Sequence, residues 1–143
     1  EDVAFGSEKN YYIQADIAEN WGEYKTLVDK AEFDAHGRAV VNIRWVIGKG
    51  KILPMTTLRT AILLKRDPED DTVVQKLGVE EATAYIESVD FCNPHLLVKD
   101  ERKDGLRRRF FNDFFSRLEV YLVNTRVPVL ETHRAIKEEI FKI

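Results

Sequence analysis

Runs of apolar residues alternate with turn-forming segments along the whole chain, and their spacing predicts strands and helices in mixed order. Period-two or continuous apolar runs predict strands over residues 10–15, 39–47, 60–65 and 119–125, with an extended segment over 72–77. Helical spacing of apolar residues predicts helices over 18–31, 79–89, 106–118 and from residue 131 onward. This order is typical of an α/β fold in which a mixed sheet is flanked by helices.

The strand over residues 119–125 is the clearest signal. It is a β-branched apolar run with few charges, which is typical of a strand buried on both faces of an α/β sheet. It ends in Asn124 and Thr125, and open α/β sheets bind their ligands at the carboxyl ends of their strands. These two polar residues are therefore candidate ligand contacts.

Arg44 is the second candidate. The strand predicted over residues 39–47 places this arginine among Val41, Ile43 and Trp45, and a charge in such a strand needs an acidic partner, a ligand or access to water. An edge position or a structural ion pair would satisfy it, and so would contact with an anionic ligand. The sequence alone does not choose between the edge position, the ion pair and the ligand contact.

Composition excludes several classes of protein. A chain of 143 residues with 44% hydrophobic and 33% charged residues is typical of one globular domain, or of the C-terminal part of a larger one. The net charge of −3 argues against broad nucleic-acid binding. No apolar run approaches the ~20 residues that cross a membrane, and no secretory signal is evident. The only cysteine, Cys92, allows no internal disulfide, so we expect a reducing, cytoplasmic setting.

The remaining polar motifs predict no catalytic or metal site. Residues 48–51, Gly-Lys-Gly-Lys, do not fit the phosphate-loop pattern G-x-x-x-x-G-K-[ST], and the three histidines lack zinc-ligand spacing. The acids of residues 67–71 are expected to form a solvated loop, and the arginines of 107–109 the outer face of an amphipathic helix. The catalytic residues therefore stay unassigned.

Two segments carry a family resemblance. The pattern V-Y-L-V-N-T, a loop, and then T-H-R-A-I resembles the closing segment of phosphoenolpyruvate carboxykinases, which belong to a P-loop kinase group that includes HPr kinase. The segment V-N-I-R-W-V-I is similar in outline to a carboxykinase segment near N-T-R-V-S-Y-P-I, without its S-Y-P part. The family's G-W-T-G-G after N-T is replaced here by R-V-P-V-L. The resemblance implies that Arg44 contacts a nucleotide, with Asn124 and Thr125 near the rim of the site.

The resemblance also implies the function. The chain would be the ATP- or GTP-binding portion of a carboxykinase-like or HPr-kinase-like phosphotransferase, the C-terminal part of a P-loop kinase-like domain. The family's phosphate loop, its lysine and its Mg²⁺-binding aspartates lie upstream of this region, so this chain alone is expected to be inactive. The chain begins at Glu1 and contains only Met55, so we expect a preceding portion, or another chain, to be a partner. The alternative is a self-contained, non-catalytic α/β protein-interaction module.

Overall fold

The structure, a computed structural model, describes residues 3–5, 10–17, 21–42, 44, 48, 53–92 and 100–143. The chain divides into two compact units, an N-terminal unit of Val3–Thr56 and a C-terminal unit of Thr57–Ile143. The sequence predicted one α/β domain or the C-terminal part of one. The described residues form eight strands and four α-helices, so the predicted α/β class with a mixed sheet and flanking helices is confirmed. No helix among them is long and apolar enough to cross a membrane.

The N-terminal unit is built from small antiparallel pairings. Its elements are β1 (Val3–Phe5), β2 (Asn10–Gln14), a 3₁₀ turn (Gly22–Tyr24), α1 (Lys25–Asp29), β3 (Glu32–Phe33), β4 (Arg38–Asn42) and β5 (Met55–Thr57). Strand β4 lies between β2 and β3, and β1 pairs with β5. Val28 of α1 packs against Ala39 and Val41 of β4, and these three buried residues form the core of this unit.

Two predictions for the N-terminal unit are wrong in extent. The strand predicted over 39–47 ends at Asn42, where the Asn42 side-chain oxygen accepts a hydrogen bond from the Arg44 amide at 3.0 Å. Such a local side-chain bond competes with strand pairing. Within the helix predicted over 18–31, the described residues form a 3₁₀ turn (Gly22–Tyr24) and the short α1, which ends at Asp29. Glycine lowers helix stability where the turn begins. Residues 18–20, 43 and 45–47 lie outside the described residues.

The C-terminal unit contains the predicted elements, but the helix predicted over 106–118 spans Glu101–Phe115 and the helix predicted from residue 131 begins at Val129. Its elements are β6 (Thr60–Lys65), β7 (Val74–Leu77), α2 (Val79–Ser88), a 3₁₀ turn (Asp90–Cys92), α3 (Glu101–Phe115), β8 (Glu119–Asn124), α4 (Val129–Ala135) and a π-helical segment (Ile136–Phe141). Side chains cap two of the helix starts: the Glu81 carboxylate accepts from the Gly78 amide at 2.8 Å, and the Asp100 carboxylate accepts from the Lys103 amide at 2.8 Å.

The three-stranded sheet of this unit has β8 at its centre, parallel to β6 and antiparallel to β7. Successive residues of β8 point to opposite faces. Val120 packs with Phe115, Ala82 and Ile86 of the helices α2 and α3, whereas Tyr121 and Val123 form a separate cluster with Ile140 of the π-helical segment. Apart from Glu119, all of β8 is buried, which confirms the prediction of a strand covered on both faces.

Candidate functional site at the carboxyl ends of β6 and β8

The carboxyl ends of β6 and β8 lie side by side. Lys65 and Asn124, the last residues of the two strands, are partners in the parallel ladder. The chain leaves β6 through residues 66–73, which we call the capping loop, and enters β7 on the far side of β8. The capping loop therefore joins the two outer strands across the end of the central one. Its backbone contacts β8 through the Asn124 amide, which donates to the carbonyl of Val73 at 2.8 Å.

Asn124 fastens the capping loop to the sheet. Its side-chain oxygen accepts from the Asp67 amide at 2.9 Å, and its Nδ2 donates to the carbonyls of Asp67 and Asp70, both at 2.8 Å. The side chain is 0% exposed. Its donor and acceptor groups are thus used within the protein, where they hold the capping loop in place.

The two residues after Asn124 continue this attachment. The amide and the Oγ1 of Thr125 both donate to the carbonyl of Lys65, at 2.8 and 3.0 Å. The guanidinium of Arg126 donates to the carbonyls of Pro68 at 3.2 Å and Asp70 at 3.0 Å, and it pairs with the Asp71 carboxylate. The consecutive residues 124–126, at the end of β8 and just after it, therefore make most of the hydrogen bonds that hold the capping loop.

A half-buried ion pair between Lys65 of β6 and Asp70 also holds the capping loop. The hydrogen bond from Lys65 is the main cause that lowers the pKa of Asp70 from 3.8 to about 2, and the Thr72 amide, 2.8 Å from the same carboxyl group, lowers it further. The same bond raises the pKa of Lys65. The Asp67 carboxylate lies 3.9 Å from the Lys65 ammonium and adds to this effect.

Acid is expected to weaken the capping loop through Asp70. Because the folded pKa of about 2 lies below the unfolded value of 3.8, the carboxylate stabilises the fold above about pH 4 and loses that contribution as the pH falls toward 2. Hydrogen exchange of the capping-loop amides, corrected for intrinsic rates, would compare the chain with Asp70→Asn from pH 5 to 2. We expect the variant to be less protected at pH 5 and the difference to shrink toward pH 2; a constant difference would contradict this assignment.

The charges of this region nearly cancel. Three cations, Lys65, Arg66 and Arg126, stand beside four carboxylates, those of Asp67, Glu69, Asp70 and Asp71. The sequence interpretation of the four acids as a solvated loop accounts for Glu69 and Asp71, which are exposed, but it missed the lysine and the arginine that pair with Asp70 and Asp71. Among the described residues no His, Cys, Asp and Glu side chains group as metal ligands.

Arg44 lies in the N-terminal unit, whereas Asn124 and Thr125 lie in the C-terminal unit. It follows the end of β4 and is exposed to solvent. The strand prediction is therefore wrong at this residue, and Arg44 has the access to water that was one of its three interpretations. Its assignment to a nucleotide rests on the sequence resemblance.

The arginines of residues 107–109 belong to the outer surface of α3. Arg107 pairs with Asp104 at 3.1 Å, and Arg108 pairs with Glu87 of α2. Two of the three therefore have acidic partners, which fits the interpretation as a charged helix face.

Comparison with family models, with curated proteins and with solved structures finds no match for this chain. The described residues define a mixed α/β protein, and its function is inferred from the site.

Proposed function

We propose that this chain forms the base- and ribose-side wall of an ATP or GTP site in a carboxykinase-like or HPr-kinase-like phosphotransferase. Phosphate-binding groups and Mg²⁺ ligands would come from outside this sequence, which contains no phosphate loop. The resemblance assigns Arg44 to a nucleotide contact, and Asn124 and Thr125 would hold the capping loop at the carboxyl edge of the sheet.

The observation that carries the proposal is the arrangement of the two parallel strands. β6 and β8 end at the same level, with Lys65 opposite Asn124, and helices cover both faces of the sheet. Ligands of open α/β sheets bind outside the carboxyl ends of parallel strands. The capping loop supplies a fixed surface at that edge, because Asn124 holds it through three hydrogen bonds.

The charges of the edge favour the base and ribose over the phosphates. With one more carboxylate than cations, the capping loop and its partners offer no net positive charge to a triphosphate. The uncharged base and ribose of a nucleotide need no such charge.

NMR titration of the chain with ATP and GTP, each with and without Mg²⁺ at millimolar nucleotide, tests the proposal. We expect saturable shifts of the capping-loop amides. Arg44→Ala should weaken binding by about tenfold, since a charge-assisted hydrogen bond contributes about 1.5–3 kcal/mol. Arg59→Ala is the matched control, because Arg59 is an exposed arginine at the opposite, amino end of β6. Equal affinity in both variants would refute the role of Arg44.

A second candidate function, a non-catalytic interaction module, is favoured by the outer face of α3. Leu106 and Phe110 are 46% and 59% exposed there, and Arg102 and Arg109 share the face at helical spacing. A folded, monomeric chain that gives no saturable shift with either nucleotide would support this candidate over the first.

A further inference from the structure

The outer face of α3 presents two large apolar side chains to solvent. Leu106 and Phe110 lie four residues apart, so they are neighbours on the helix surface, and they are 46% and 59% exposed. Scattered apolar residues are ordinary on protein surfaces, whereas contiguous ones are a feature of interaction sites. The two residues therefore form a candidate contact patch.

The Phe110 ring is fixed by its neighbours although it is exposed. It stacks on the Phe114 ring, with 5.7 Å between the centroids and an interplanar angle of 9°, and it meets the Phe111 ring edge-on at 5.2 Å. Both of these rings contact the ring of the buried Phe115, at 5.5 and 5.8 Å. Because a ring held in this way loses little conformational entropy when a partner covers it, Phe110 is suited to anchor a binding surface.

A glycine stands beside this patch, inside the helix. Gly105 precedes Leu106 and lies one turn from both Arg102 and Arg109 on the helix surface. Glycine is unfavourable within a helix, and a Cβ added at Gly105 would meet no atom within 4 Å, so packing inside the chain does not require it. What the missing side chain supplies is room for another chain to approach α3 closely.

Arg102 and Arg109 give the outer face a positive charge. The other cations of this segment have acidic partners: Lys103 with Asp100, Arg107 with Asp104, Arg108 with Glu87, and Arg117 with Asp113. No described carboxylate forms an ion pair with Arg109. The pKa of Asp100 is lowered mainly by the Lys103 amide and least by the charge of Arg102. The outer face is therefore positive, although the chain carries a net charge of −3.

These features disfavour three other occupants of the face. A second copy of the chain, packed α3 against α3, would bring the same arginines together. The net charge of −3 is unsuited to a nucleic acid. A helix that lies on a membrane inserts a broad apolar face, whereas the broad apolar face of α3 packs with α2 and β8.

We propose that the outer face of α3 binds an acidic amphipathic helix of another protein. Apolar side chains of that helix would pack on Leu106 and Phe110 and approach α3 closely at Gly105. Its carboxylates would pair with Arg102 and Arg109. This inference rests on the second candidate function, whose face it uses, and it does not depend on the nucleotide wall.

NMR titration of the chain with a synthetic helical peptide tests the proposal. The peptide has about 20 residues, with leucines along one face and glutamates beside them, and its control carries lysine in place of each glutamate. We expect saturable shifts of the α3 amides with the glutamate peptide and binding at least about tenfold weaker with the lysine peptide. The capping-loop amides should not shift, so this result is separate from that of the nucleotide titration.

Three outcomes would overturn the proposal. Equal binding of both peptides at α3 would keep the docking face of the second candidate function but reject an acidic partner. No saturable binding of the glutamate peptide would reject both. Shifts of the α3 amides that follow protein concentration without peptide, or that appear with poly-uridylate or phosphatidylserine vesicles in place of the peptide, would identify a different occupant.

Variants test the aromatic anchor and the cation separately. Phe110→Ala should weaken binding of the glutamate peptide by about tenfold, and Phe141→Ala is its matched control, because Phe141 is 51% exposed at the end of the π-helical segment. Arg109→Gln should weaken binding severalfold at low salt and less at high salt. Its control is Arg134→Gln, at an exposed arginine of α4. Controls that weaken binding as much as the test variants would contradict the assignment.

Gly105→Ala separates binding from folding. Alanine favours the helix and has free space at this position, so we expect a higher melting temperature together with binding about tenfold weaker. A glycine with a structural role alone would give a variant whose affinity for the peptide is unchanged. Unchanged affinity in a folded Gly105→Ala variant would therefore contradict the close approach at Gly105.

Discussion

Replacement of Phe115 by alanine is expected to lower the free energy of unfolding of the C-terminal unit by about 3–5 kcal/mol, the usual cost of removing a buried phenylalanine side chain. Phe115 is 2% exposed and packs with Ala82, Ile86 and Val120, so it joins both helices α2 and α3 to the central strand. Its ring also lies 5.5 Å from that of Phe111. The substitution would leave a cavity where these elements meet.

Phe110→Ala is the matched control for this prediction. Phe110 lies on the same helix but is 59% exposed, so its removal should cost much less. Hydrogen exchange of the β8 amides in increasing denaturant gives the opening free energy of this unit directly. Tryptophan fluorescence would follow the other unit, because Trp21 and Trp45 both lie within Val3–Thr56. A Phe110 variant as destabilised as the Phe115 variant would contradict this description of the core.

Asn124→Ala is expected to destabilise the capping loop by about 2–4 kcal/mol, because a buried polar group that loses its partner costs about 1–3 kcal/mol. The substitution leaves the amide and carbonyl of Asp67 without their bonds to Asn124. The carbonyl of Asp70 keeps its hydrogen bond from Arg126 at 3.0 Å, so the total cost is smaller than three full losses.

Asn124→Asp tests the hydrogen bonds alone, because aspartate has nearly the same size as asparagine but lacks the Nδ2 donor. The aspartate can still accept from the Asp67 amide, but it places an oxygen where Nδ2 donates to two carbonyls, so we expect a loss at least as large as that of alanine. Asn112→Ala, at an exposed position on α3, is the control and should change little. Amide exchange in the capping loop would report both effects. A protected loop in Asn124→Ala would show that other contacts hold it.

These results bear on the role assigned to Asn124. Its position at the end of a buried strand made it a candidate ligand contact, and the resemblance placed it near the rim of a nucleotide site, whereas its side chain is used by the capping loop. In a nucleotide site it would therefore be a positioning residue. If so, Asn124→Ala should weaken nucleotide binding only under conditions in which it also lowers the protection of the capping-loop amides from exchange.

The C-terminal unit was largely predictable because its apolar patterns are local and long. β6 occupies the predicted residues 60–65, β8 ends one residue before the predicted boundary, and α2 spans Val79–Ser88 against a predicted 79–89. Each of these elements packs apolar residues against a core cluster, and hydrophobic periodicity detects such residues.

The capping loop and the N-terminal unit were less predictable for different physical reasons. Asn124 and Asp67 are 57 residues apart, so no local pattern indicates their hydrogen bonds. In the N-terminal unit, β4 ends where the Asn42 side chain accepts from the backbone, although the apolar run continues beyond it. β4 therefore ends five residues before the boundary that hydrophobicity predicted, next to this local hydrogen bond.

A thermal-shift titration of this chain with ATP and GTP, each with and without Mg²⁺, tests the central claim most directly. A ligand that binds only the folded state raises the melting temperature in a saturable way. We predict such a rise for at least one nucleotide, strongly reduced by Arg44→Ala and unchanged by Arg59→Ala. A chain that melts cooperatively as a monomer and shows no rise with either nucleotide would contradict the nucleotide-wall account and favour the interaction module.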